Sequence, residues 1–334
     1  MALTHSRIRG SLLGGAVGDA LGAAATPEQL GPARLRGLEP APGVVTAETQ
    51  LTLFTAEGLV VAARDPTLAG RSGAVRSVHR ACLRWLETQG ERSAHPTFGR
   101  ATEGWLLSRP ELYHRRAPDS VCLVALRGPR MGRVEQPLNS SADGRGLVRA
   151  AAVGLAGGVG DPFATAREIA GLTRGHPSAC LSGGFFALVI REAAAGTPLP
   201  AACAEALEEL RRYPACQETR DVIARALALA ERQRAAPDEL SSPDSARTAA
   251  EVLATALRCA LAAPDFETAL YLAASCDGHR STAAAAVGSL LGAAFGDGVI
   301  PRRLLEPLDL RAAIERTAEE LSPDRSPRLR GGGG

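Results

Sequence analysis

Lysine is absent from this sequence. All 38 basic residues of the 334-residue chain are arginine, which excludes mechanisms that run through a lysine Schiff base. Aromatic residues make up only 4% of the chain, no basic run exceeds three residues, and the net charge is +2. A nucleic-acid partner, which needs stacking platforms along a positive groove, is therefore not expected. The seven cysteines (Cys82, Cys122, Cys180, Cys203, Cys216, Cys259 and Cys276) are scattered and never form a C-x-x-C pair, a pattern that predicts reduced thiols and a cytoplasmic location. No stretch reaches about 18 uninterrupted apolar residues, so no membrane span is expected. The opening segment MALTHSRIRGSLLGGAVGDALGAAAT places arginines before an apolar run, as a signal peptide does. Asp19 and the glycines at 14, 15, 18 and 22 break that run, and the expectation is a chain that is not secreted.

What is present is ample hydrophobic material, 45% of the residues, enough for a sizeable core. Helical periodicity predicts helices over 6–24, 47–64, 70–88, 99–107, 144–157, 162–173, 178–195, 199–211, 217–233, 246–262, 265–274, 281–296 and 308–321. Proline- and glycine-rich loops fall at 30–43, 115–120, 127–144 and 234–245. No run alternates as a strand would, and no linker divides the chain. The expectation is one all-α domain, a helical bundle over residues 1–321, followed by a disordered low-complexity tail at 322–334.

Two of these helices carry glycine stripes. Gly10, Gly14, Gly18 and Gly22 recur every fourth residue in the first, and Gly288, Gly292 and Gly296 follow Ala283–Ala286 in the late one. A mid-helix glycine costs about 1 kcal/mol relative to alanine, so a stripe implies a compensating gain. Backbones approaching closer than the usual ~8–10 Å supply it. The stripes predict paired core helices whose N-terminal ends converge on one site.

Thr46, Ala47 and Glu48 open the second helix as an N-cap hydroxyl and a first-turn acid would, each worth about 1 kcal/mol or less. Ser281 or Thr282 caps the late Gly/Ala helix in the same way. In family context these positions acquire a second meaning. The blocks IRGSLLGGAVGDALGAA, VTAETQLTLFTAEGL, RPELYHRRAPDSVCLVALR, PLNSSADGRGLVRAAAVGL, LTRGHPSACLSGGFFA and DGHRSTAAAAVGSLLGAAFG resemble, in order, those of the ADP-ribosylglycohydrolases. The resemblance extends over about residues 6–320. It implies an all-α fold, a two-magnesium site, and hydrolysis of the glycosidic bond joining ADP-ribose to a protein side chain or a small molecule.

Hard divalent cations take clustered oxygen ligands, and the family's T-D-D and D-x-D-[ST] turns supply them. Here Thr46 keeps the threonine, Ala47 stands at the first aspartate and Glu48 at the second. In the last block His279 and Ser281 stand at the aspartate positions and Thr282 at the hydroxyl. Three of four metal carboxylates are absent. The family glutamate position falls at Thr26, with Glu28 two residues on. A residual metal set would comprise Thr46, Glu48, Asp277 and Thr282. Glu48, Asp277 and His279 offer a one-metal alternative for a softer ion such as Zn²⁺ or Mn²⁺, with Glu48 and His279 as catalytic candidates.

The ligand side retains more of the family pattern. The resemblance assigns a diphosphate-wrapping loop to Asn139, Ser140, Gly144 and Gly146, with Arg149 at the arginine of the family's M-R pair. Arg174 replaces the family histidine, and His176 is kept. Backbone amides ahead of a helix can cradle an anion, although Arg149 reads equally well as a structural ion-pair partner. Ala246 and Arg247 stand where the family often carries a G-W turn. The reading is a protein that binds ADP-ribose or an ADP-ribosylated substrate with little magnesium-dependent hydrolysis. Its rivals are an active hydrolase with a rebuilt site and a pseudoenzyme partner subunit with no ligand.

Overall fold

Polar side chains cap several of the helices, and close backbone packing holds two of them together. The computed structural model describes residues 3–25, 43–100, 103–235 and 245–322. Thr26, Glu28 and the 323–334 tail lie outside the described residues. Among these, fourteen α-helices form the fold: α1 (His5–Ala24), α2 (Ala47–Arg64), α3 (Arg71–Thr88), α4 (Ser120–Arg127), α5 (Ala150–Leu155), α6 (Pro162–Gly171) and α7 (Pro177–Ala195) in the first part. The second part contributes α8 (Leu199–Leu210), α9 (Gln217–Ala235), α10 (Ala249–Ala262), α11 (Phe266–Ala274), α12 (Arg280–Phe295), α13 (Arg302–Leu305) and α14 (Arg311–Leu321). A two-residue parallel ladder, β1 (Ser245–Ala246) against β2 (Asp277–Gly278), is the extended pairing beside them. The fold is all-α, as the periodicity predicts.

The glycine stripes meet. A Cβ placed on Gly10 would fall 2.6 Å from the Gly292 carbonyl oxygen, and one on Gly22 would fall 2.5 Å from that of Arg280. Gly14 faces Gly288 and Gly18 faces Ala284, closer still. The pairing is antiparallel, which corrects one expectation: the N-terminus of α12 meets the C-terminal end of α1, not its start. That geometry brings Asp19, near the end of α1, to the level of His279 at the head of α12.

Several helix boundaries differ from the periodicity. The segment predicted as 99–107 is described as a 3₁₀ turn at Leu106–Ser108, its neighbours 101–102 lying outside the described residues. The helix predicted from 144 starts only at Ala150, because Gly146 sits at φ +91° and the Gly144 amide bonds out to the Arg247 carbonyl. The short α4, capped by Asp119 through Val121 and Cys122 amides at 3.1 and 3.0 Å, went unread. The helix α10 begins at Ala249 behind a Thr248/Glu251 capping box.

Among the described residues one helix, α7, is long and apolar enough to cross a membrane, and 78% of its apolar window is buried in the fold. It packs against α5, α6, α8 and α12, as a core helix does.

Candidate functional site

The ends of α1, α2 and α12 and the loops at 139–149 and 173–176 converge on a cluster of charged side chains. Thr46 caps α2: its hydroxyl accepts the Glu48 amide at 3.1 Å and donates to Asp19 Oδ1 at 2.8 Å. The fully buried Asp19 also accepts the Thr46 amide and the Thr49 hydroxyl at 2.8 and 2.6 Å. Burial pushes its carboxyl above the ordinary range, against the pull of those three donors and the Thr49 amide.

Glu48 extends from the first turn of α2 to the loop, where its Oε2 accepts the Gly146 amide at 2.8 Å. It is 6% exposed. Burial pushes its carboxyl up to about 7, the Gly146 amide opposes the shift, and the Asp19 charge reinforces it.

Arginine fills the centre of the cluster. Arg174 is 4% exposed and pairs with Asp119 while donating to the Arg145 carbonyl at 2.7 Å and the Asp143 carbonyl at 3.3 Å. Arg145 holds both Asp143 oxygens, at 3.0 and 2.8 Å, and reaches Asp119 at 3.2 Å. His279 Nε2 stands 3.4 Å from Asp143. Burial alone would raise the Asp143 carboxyl, but bonds from His279, the Arg145 side chain and the Arg145 amide hold it well below the usual range. Four carboxylates (Asp19, Glu48, Asp119, Asp143) thus share the region with three guanidiniums (Arg145, Arg149, Arg174) and one imidazole.

The other residues singled out in the sequence lie as follows. Asn139 stitches its loop to the next, donating to the Thr173 carbonyl at 3.1 Å and accepting the Gly175 amide at 3.1 Å, with Ser140 exposed beside it. His176 caps α7 by accepting the Ser178 amide at 3.2 Å. Arg149 is 1% exposed at the floor of a cleft lined by Asp143, Arg145, Gly146 and Arg174. Thr282 is fully buried in α12 and its hydroxyl has no partner. Asp277 turns outward, 2.6 Å from Arg247 at the surface.

These placements bear on which of the described residues could hold a metal. Among the described residues no set of three or more His, Cys, Asp or Glu side chains is gathered to hold an ion, so Glu48, Asp277 and His279 do not form the one-metal alternative. Nor do the residues fit two magnesium ions. Asp119 and Asp143 are bonded to guanidiniums, Asp19 to hydroxyls and amides, and Glu48 to the Gly146 amide. A hard cation would have to displace permanent cations already in place.

The loop amides are equally committed: Gly144 to Arg247, Arg145 to Asp143, Gly146 to Glu48 and Leu147 to Gly144. Asp19, Asp119, Asp143 and Arg145 are members of the site that sequence reading did not select. Asp19 carried a signal, as a lone acid inside an apolar Gly/Ala helix. Asp119 carried none once α4 was missed.

Residues 1–329 match the family model for ADP-ribosylglycohydrolase. A solved structure of an ADP-ribosylglycohydrolase-related protein complex is similar at a TM-score of 0.59 and 26% sequence identity, over 95% of this chain and 97% of that one. No curated protein sequence matches.

Proposed function

The chain belongs to the ADP-ribosylglycohydrolase family, whose members act on ADP-ribosylated substrates, and on that premise we propose that it recognises an ADP-ribose-like ligand without a two-magnesium centre. One observation carries this reading: Asp119 bridges Arg145 and Arg174, so the cluster is close to charge balance on its own side chains. In the family the two ions orient ribose hydroxyls and polarise a water. Here the donor set does not suit them, and no hydrolytic step follows from it.

Recognition instead falls to the outer guanidinium. The Arg145 side chain is 37% exposed, and its Nε and Nη2 are spent on carboxylates. Its Nη1 has no protein acceptor among the described residues and is free for a phosphate oxygen, a charge-assisted bond. Asp143 and Asp119 hold that guanidinium in position.

The loop amides favour a second reading, a ligand-free partner subunit, because each of those at 144–147 is already satisfied inside the fold. Calorimetric titration of ADP-ribose into the full chain, with EDTA and with magnesium chloride, separates the readings. Equal binding in both supports metal-free recognition; no binding in either transfers the weight to the partner subunit. Release of ADP-ribose from modified peptides that disappears in Glu48→Ala establishes a hydrolase instead.

A further inference from the structure

Arg149 is a buried cation without an anion. Its Nη2 donates to the Thr173 hydroxyl at 2.6 Å and to the Ile169 carbonyl at 3.2 Å, at the C-terminal end of α6. Its Nε and Nη1 have no oxygen or nitrogen acceptor, and among the described residues no carboxylate lies within ion-pair distance. The helix end offsets part of the charge. Two guanidinium nitrogens without an oxygen or nitrogen acceptor, on a side chain 1% exposed, nonetheless demand a ligand.

The nearby groups do not supply it. Asp143 is occupied by Arg145 and His279, and Asp119 by Arg174, Arg145 and the first amides of α4. Cys82 of α3 meets the Arg149 guanidinium, but burial holds its thiol above the ordinary range and outweighs the guanidinium, which draws it down. A neutral thiol is a weak acceptor and balances no charge.

The cavity beside Arg149 selects the class of ligand. It is walled by Ala166, Ile169, Ala179 and Gly183, and its charged lining consists of three guanidiniums to one carboxylate, Asp143. Beside the guanidinium it holds about 10 Å³ of free space, enough for one small particle. We infer that Arg149 holds a monatomic anion, chloride in ordinary solution, in the cavity between α5, α6 and α7. The cavity shares Asp143, Arg145 and Arg174 with the ADP-ribose reading, but the unpaired charge of Arg149 does not depend on that reading.

The test uses the full chain in chloride, bromide and gluconate at equal ionic strength, with anomalous diffraction from crystals grown in bromide. The inference predicts melting about 3 °C higher in either halide than in gluconate. It also predicts a bromide peak within hydrogen-bond distance of the Arg149 guanidinium. Arg149→Met, where it folds, melts alike in all three salts. The inference is overturned by equal melting of the parent chain in chloride and gluconate, by a bromide map empty at Arg149, or by a variant that keeps the full halide effect. Should Arg149→Met fail to fold, the parent-chain salt comparison and the bromide map still decide.

Discussion

Glu48 Oε2 accepts a 2.8 Å hydrogen bond from the Gly146 amide, joining the first turn of α2 to a loop 98 residues further along the chain. A side chain at a family metal position is thereby engaged with the loop that the family uses for its ligand. The bond fixes the loop to the head of α2.

That contact has a pH signature. The folded Glu48 carboxyl titrates at about 7 against an ordinary 4.5, so between those values the folded state holds more protons than the unfolded one. Stability therefore falls as pH rises through that window, by an amount on the order of 3 kcal/mol in all. Glu48→Gln keeps a side-chain oxygen for the Gly146 amide and removes the titration. In urea unfolding it should match the parent chain below the window and exceed it above. Parallel pH profiles for the two proteins would refute the assignment.

Arg174 is a structural lock, so Arg174→Ala should cost about 3–5 kcal/mol by stranding Asp119 in the interior. Thermal melting reads this directly. A variant as stable as the parent chain would show that Arg174 is a spare cation.

Much of the fold was legible because long helices repeat their pattern. The stripes at Gly10–Gly22 and Gly288–Gly296 announced a close helix pair, though not its antiparallel sense. The eight-residue α4 was too short to show a period, and α5 lost its first turns to the positive φ at Gly146. Thr46 and Glu48 were visible as a cap and first-turn acid. The fate of Arg174 was not, since its partner Asp119 lies 55 residues away and no local pattern reveals which donors the fold consumes. Reading a permanent cation as a phosphate ligand presumes that its N–H groups stay free.

The helix pair yields a third prediction. In an exposed helix Gly→Ala gains about 1 kcal/mol, but Gly14→Ala drives a methyl into the Gly288 carbonyl and should destabilise by about 1–3 kcal/mol as overpacking does. A gain in melting temperature would contradict the backbone contact.

Arg145 separates recognition from stability. With its side chain 37% exposed, Arg145→Ala should leave melting within a few degrees of the parent chain. ADP-ribose affinity should weaken about tenfold, equivalent to about 1.4 kcal/mol, and lose part of its salt dependence. Unchanged affinity would remove Arg145 from the ligand site.

The most direct test of the self-balanced site is metal stoichiometry. The full chain is dialysed against magnesium or manganese, with and without ADP-ribose, and bound metal is counted by elemental analysis alongside thermal melting. The account predicts well under one ion per chain and no metal-dependent rise in melting temperature, although a ligand at 100 times its dissociation constant would stabilise by about 2.7 kcal/mol. Two ions per chain, or a clear magnesium-dependent rise in melting temperature, would contradict it.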